Sequence, residues 1–167
     1  MMLNDLFIGM INYYAGDAKR IQHFVKVHAF AKLIGEKERL DEKTLRTLEA
    51  AAYVHDIGIK PAEEKYGSCD GKLQEQEGPA AARELLERLG FDAETTERVC
   101  YLVGHHHTYK DIDGIDYRIL VEADFLVNLY EDGLGEAEAD SVCERIFRTE
   151  SGKRICRAMF SGRGYCG

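Results

Sequence analysis

The sequence has only two prolines among 167 residues, no CxxC pair, no long apolar run and no excess of basic residues. The five cysteines (Cys69, Cys100, Cys143, Cys156 and Cys166) are odd in number and lack metal-knuckle spacing. That argues against a disulfide framework or a zinc knuckle and for reduced thiols. No apolar stretch approaches the ~20 residues of a membrane span. The opening MMLNDLFIGMINYY lacks a basic segment and carries Asp5, so it makes a poor signal peptide. A cytoplasmic protein without a membrane partner is the expectation. A net charge of −8 and a pI near 5.3 argue against nucleic acid as a bulk partner, because a phosphate backbone demands a basic face. A small polyanion stays compatible, since a metal ion supplies local positive charge inside an acidic protein.

What the sequence does have is apolar residues, 45% of the chain, at helical spacing. With so few prolines, this predicts an all-α fold, a single-domain bundle of about six to seven helices. The length suits one domain, expected over residues 1–160, with the tail SGRGYCG (161–167) frayed. Helices are expected over residues 2–14, 18–34 and 41–55, the third capped by Asp41 with Leu40 and Leu45 stapled across its start. Residues 62–77 read as a loop punctuated by Gly67, Asp70 and Gly71. Pro79 reads as a first helical position and Gly90 as a stop. Further helices are expected from Phe91–Asp92 into the triple histidine at 105–107, then over 117–130, 136–148 and 152–160.

Four polar residues fall on apolar helical faces. His23 shares a row with Val27, Phe30 and Ile34. His55 follows Leu48, Ala51 and Ala52, and Asp56 closes that helix. Asp124 follows Tyr117, Leu120 and Val121 at i, i+3, i+4, i+7 offsets. An unpaired carboxylate buried there would cost several kcal/mol. For one aspartate alone, a salt bridge or helix cap would suffice. Two histidines and an adjacent aspartate on other apolar faces change the balance, because imidazole nitrogen and carboxylate oxygen suit a divalent transition metal. In CYLVGHHHTYK, His106 shares a face with Val99, Leu102 and Val103, with His105 one step round. His28 lies off the buried face and reads as a partly exposed histidine.

The order His23, His55–Asp56, Asp124 resembles the H…HD…D signature of the HD-domain superfamily of metal-dependent phosphohydrolases. RIQHFVKVHAFA resembles its first-helix pattern, HDIG is its commonest second motif, and VGHHH resembles the histidine pair of its two-metal members. The similarity spans roughly residues 20–130. It implies an HD-like fold and a phosphohydrolase that uses a metal-activated water on a small phosphorylated substrate such as a nucleotide. It also implies one ion held by His23, His55, Asp56 and Asp124, with His55 and Asp56 at the catalytic centre and Asp56 bridging. His105, His106 and Glu77 would complete a second, weaker site, for Gln74 stands where two-metal members carry a histidine. Glu77 has two readings, a substitute ligand or a first-turn acid that complements a helix dipole. Lys60 has two as well, a phosphate contact or a solvated lysine. Fe, Mn, Co, Ni or Zn suits such donors better than Mg. Two other classes stay open, since some members are di-iron oxygenases and a nucleotide sensor without turnover would use the same fold. Neither substrate nor oligomeric state is read from the sequence.

Overall fold

In the computed structural model, residues 2–162, 164 and 165 are described, and they form nine α-helices and no strand. These are α1 (Met2–Tyr13), α2 (Ala18–Lys37), α3 (Glu42–Val54), α4 (Ile59–Tyr66), α5 (Gly71–Arg88), α6 (Ala93–Val103), α7 (Ile115–Glu131), α8 (Glu136–Ile146) and α9 (Glu150–Phe160). The all-α expectation holds, with more helices than the six or seven predicted.

Four helices start at an aspartate. Asp17, Asp41, Asp70 and Asp92 each accept a hydrogen bond from the backbone N–H three residues on, which satisfies an otherwise unpaired donor. One added helix, α4, comes from the stretch expected to be a loop, which also holds the first two turns of α5. Gly67, with φ of 66°, does end a helix, but that helix is α4, and Asp70 at once caps α5. The punctuation therefore separates two helices. Pro79 lies inside α5, not at its start. Gly35 does not end α2, which runs two residues further, and Leu45 and Leu48 pack against this glycine. Of the expected frayed tail, Ser161, Gly162, Gly164 and Tyr165 carry no regular structure, and Arg163, Cys166 and Gly167 lie outside the described residues.

The centre of the bundle is α2, which packs on α3 and on α7, while α5 packs on α6 and α8 on α9. Phe24, Val27 and Ile34 of α2 meet Leu48 of α3 and Leu120 of α7 in one buried core. Burying each such side chain fully contributes on the order of 1.5–3 kcal/mol. The α9 start is fastened to α7, because buried Glu122 accepts from the backbone N–H groups of Arg148 (2.6 Å) and Thr149 (3.0 Å).

The turn after α3 carries His55 and Asp56, and it is gripped from two sides. Tyr14 donates its hydroxyl to the Asp56 carbonyl (2.7 Å) and Tyr13 to the Ile57 carbonyl (3.1 Å). On the other side Gly58 lies against α5. A Cβ on Gly58 would stand 2.4 Å from the Gln74 carbonyl oxygen and 2.8 Å from the Gly78 nitrogen, and one on Gly78 would stand 2.6 Å from a Val103 methyl. Glycine is required here by close approach, not by φ. Because Gly58 meets backbone, a methyl cannot be absorbed by a side-chain rotation. Gly58→Ala should therefore cost about 1–3 kcal/mol in urea denaturation, and unchanged stability would show that the two backbones can part freely.

Candidate metal centre

Four elements deliver the polar residues to one point. His23 comes from the middle of α2, and Asp124 from the middle of α7. His55 is the residue just past α3 and Asp56 the next, while His106 lies just past α6. Two helix C-termini therefore end at this point, where their dipoles favour positive charge. His55, His106, Asp124 and His23 are all buried, and Asp56 is half-buried.

The inward-facing atoms crowd together. His23 Nε2 lies 3.3 Å from His55 Nε2, 3.3 Å from Asp56 Oδ2 and 3.2 Å from Asp124 Oδ1. His55 Nε2 lies 3.4 Å from Asp56 Oδ2 and 3.6 Å from Asp124 Oδ1. Asp56 Oδ1 turns the other way, 3.4 Å from His106 Nε2. One carboxylate thus faces two histidine groups.

The far side of each ring decides what these nitrogens offer. His55 Nδ1 is 2.9 Å from the Ala52 carbonyl oxygen, and His106 Nδ1 is 2.8 Å from that of Val103. A carbonyl only accepts, so each Nδ1 carries the proton, and in a neutral ring Nε2 is left as a bare lone pair. His23 Nδ1 meets Glu131 Oε2 at 2.9 Å, with the same result. With the three rings neutral, three lone pairs and two carboxylates converge with no proton among them. His106 Nε2 is buried without a hydrogen-bond partner. Such a set is repulsive unless a cation sits in it. Ligand atoms ~2.1 Å from a divalent transition metal stand about 3–3.4 Å apart, close to the spacing observed. The residues fit the ion.

Second-layer contacts fix the donors. Asn128 donates from Nδ2 to Asp124 Oδ1 (2.9 Å), and Glu131 is also held by Lys26 at 2.7 Å. Asp124, Asn128 and Glu131 lie at i, i+4 and i+7 on α7, so helical spacing from Asp124 could have found both.

A family model described as the HD domain matches residues 20–148. The chain belongs to the HD domain family. Over 96% of its length it is similar to a crystal structure of a predicted HD superfamily hydrolase from an uncultured Thermotogales bacterium, 84% of which is covered. The two share 27% identity at a TM-score of 0.65. No curated protein matches the chain in sequence.

HD domains bind divalent metals, and among the described residues of this one two groups could hold an ion: His23 with His55 and Asp56, and Asp56 with His106 and His107. The second group differs from the expected set in two members. His105 turns away, its Nδ1 bonded to the Tyr101 carbonyl (2.7 Å) and its ring stacked on Tyr101. The turn after α6 instead brings in His107, whose only signal in the sequence was its place in the histidine run. Glu77 also faces elsewhere, bonded to Lys65 and to the Tyr66 hydroxyl (2.9 Å). This geometry favours its structural reading. Gln74 occupies the position between: it donates to the Cys69 carbonyl (2.7 Å), and its Oε1 faces His107 Nε2 at 3.1 Å. His107 must then donate from Nε2, which leaves Nδ1 as its lone pair. Burial and neighbouring His106 push His107 down to about 4, so it is neutral at physiological pH. Lys60 is exposed and lies against Tyr13, with Nζ 3.4 Å from the Tyr13 carbonyl oxygen. His28 stacks on Tyr53 and pairs with Glu49 (3.0 Å), away from the cluster.

Two outcomes follow. Burial opposes charge on His55 and His23, yet Asp56 and Asp124 outweigh it and raise both histidines, His55 well above its ordinary value. Burial likewise opposes ionisation of Asp56 and Asp124, yet the histidines hold both low. In metal-free protein the histidine contribution to stability is complete below about pH 6.5 and is lost as pH rises through the raised folded values. The aspartate contribution is complete above about pH 4 and is lost as pH falls through the lowered folded values. Metal-free stability should therefore peak between them, and saturating metal should shift the optimum upward because the ion replaces protons. Thermal melts across pH with and without metal check this, and coincident profiles would refute it. Separately, Glu131→Gln removes the carboxylate behind His23 and should weaken metal binding about 10–100-fold, whereas Glu77→Gln should leave stoichiometry unchanged in a metal titration.

Proposed function

We propose that the protein is a metal-dependent phosphohydrolase acting on a small phosphorylated substrate. The observation that carries this reading is the convergence of proton-free histidine nitrogens with Asp56 and Asp124, a set that only a cation reconciles. Family membership and the Thermotogales hydrolase support hydrolysis as the reaction class. In this reading His23, His55, Asp56 and Asp124 hold one ion tightly. Asp56, His106 and His107 hold a second, weaker one, with Gln74 behind His107.

A divalent transition metal there supplies, when bound, Lewis acidity toward a phosphoryl oxygen and a water acidic enough to lose a proton near neutral pH. The chain does the rest. Glu131 and the Ala52 carbonyl keep His23 and His55 in the tautomer that presents Nε2. Asn128 holds Asp124, and Tyr14 holds the backbone of Asp56. The Asp56 carboxylate joins the two groups, so its loss disturbs both. Water attacks phosphorus as the ester oxygen departs with a proton, giving phosphate and an alcohol.

Asp56→Ala should lose bound metal by elemental analysis and phosphate release from p-nitrophenyl phosphate together, while His28→Ala keeps both. Retention of full metal and full turnover in Asp56→Ala would sink the assignment. Running the assays under argon as well as air separates hydrolysis from oxygen chemistry. Turnover that required oxygen would move the protein to the oxygenase class.

A further inference from the structure

A cavity of about 300 Å3 opens onto His23 and Asp56, bounded by the first turn of α2, the start of α4 and the end of α7. This is the small end of ligand cavities, which run roughly 300–1,000 Å3. Its lining has no Phe, Tyr or Trp, its one ring is the His23 imidazole already engaged with Asp56, Asp124 and Glu131, and Ile59 is its single apolar residue. A nucleobase is held mainly by stacking on aromatic side chains, and this wall offers no Phe, Tyr or Trp surface for it. Tyr14 lies beneath the Arg20 guanidinium and is buried. The Tyr109 ring, packed on Phe125 at 5.1 Å, lies outside the cavity wall.

The wall is instead rich in hydrogen-bond acceptors. Asn128 gives one Nδ2–H to Asp124, which leaves its Oδ1 as an acceptor, and one further N–H, for a ligand. Asp132 lines the cavity, is exposed, and takes part in no ion pair among the described residues. The other acids of the wall are matched. Glu131 is held by His23 and Lys26, and Asp17 by Arg20, which also reaches Glu63 (2.6 Å). Arg20 uses one N–H on each carboxylate, which leaves other donors of its fork for an acceptor on the ligand. Lys19 adds an exposed cation at the rim. Acceptors beside a guanidinium recognise groups that both donate and accept, and hydroxyls do both.

Building on the phosphohydrolase reading, we propose that the leaving group is a small polyol and not a nucleoside, so that the substrate is a sugar- or glycerol-type phosphomonoester. Asp132 and Asn128 accept from its hydroxyls, and Arg20 donates to them. Water adds at phosphorus, the ester P–O bond breaks, and the polyol leaves carrying a proton from that water. Asp132 is the specificity determinant best suited to a test, because among the described residues its side chain has no structural partner whose loss would confuse the result.

The test compares hexose phosphates, glycerol phosphate, nucleoside 5′-monophosphates and p-nitrophenyl phosphate on metal-loaded protein. The expected result is a kcat/KM at least tenfold higher for polyol esters than for nucleotides. Asp132→Ala should raise KM for the polyol ester about tenfold with little change in kcat, and its metal content should match wild type. Nucleotides hydrolysed as well as or better than polyol esters would overturn the proposal, as would an unmoved KM in Asp132→Ala. Those results leave the phosphohydrolase reading standing if p-nitrophenyl phosphate is hydrolysed. Failure to hydrolyse any of these esters would remove both.

Discussion

Everything in this molecule turns on one constraint: a cluster of groups that can only accept in their neutral-ring form has been gathered where little water reaches it. Three imidazoles each spend their Nδ1–H on a carbonyl or carboxylate behind them, and each turns a bare Nε2 inward. With the carboxylates of Asp56 and Asp124 among them, the set is unstable by itself. Protons or a metal ion relieve it, and the raised histidines and lowered aspartates of the metal-free state are the proton solution. A metal is the better one, because it satisfies all the lone pairs at once without forcing burial of an imidazolium.

The helical frame exists to hold that arrangement. The donors come from four places far apart in sequence, so each needs its own rigid support. His23 and Asp124 ride on α2 and α7, which pack directly on each other. The His55–Asp56 turn is irregular backbone, and it is fixed by two tyrosine hydroxyls on one side and a glycine crossing on the other. The turn bearing His106 is held in a similar way, with the buried Tyr117 hydroxyl 2.6 Å from the His105 carbonyl oxygen. Tyrosine suits this task because its ring packs in the core while its hydroxyl reaches the neighbouring backbone.

The first group of donors was legible in the sequence because each sits on an apolar stripe, and a polar residue there needs an explanation. The helix starts were legible too, since Asp41 and Asp92 cap as their positions suggest. Residues 62–77 misled for a physical reason. Gly67, Asp70 and Gly71 signal a break, but a break four residues wide can separate two helices as easily as it can punctuate a loop. The second group of donors was less legible. His105, His106 and His107 are consecutive in a turn, and periodicity cannot say which way a turn residue faces. Glu77 carried the right chemistry, yet its place on α5 turns it toward Lys65 and Tyr66.

An acidic protein that handles phosphate has to concentrate positive charge locally. Near the cavity, Arg20 is shared by Asp17 and Glu63, and Lys26 is matched by Glu131. Apart from exposed Lys19, the chain therefore presents little net positive field to an incoming dianion, and under the proposed reading the attraction must come from the ions themselves. Metal occupancy then governs substrate capture as well as chemistry. It also follows that phosphate recognition cannot distinguish one ester from another, because every ester brings the same group to the same ions. Under the proposed reading, discrimination would come from the far wall, where Asn128, Asp132 and Arg20 would meet the alcohol. That division of labour explains how a centre built from so few residue types can serve a particular substrate.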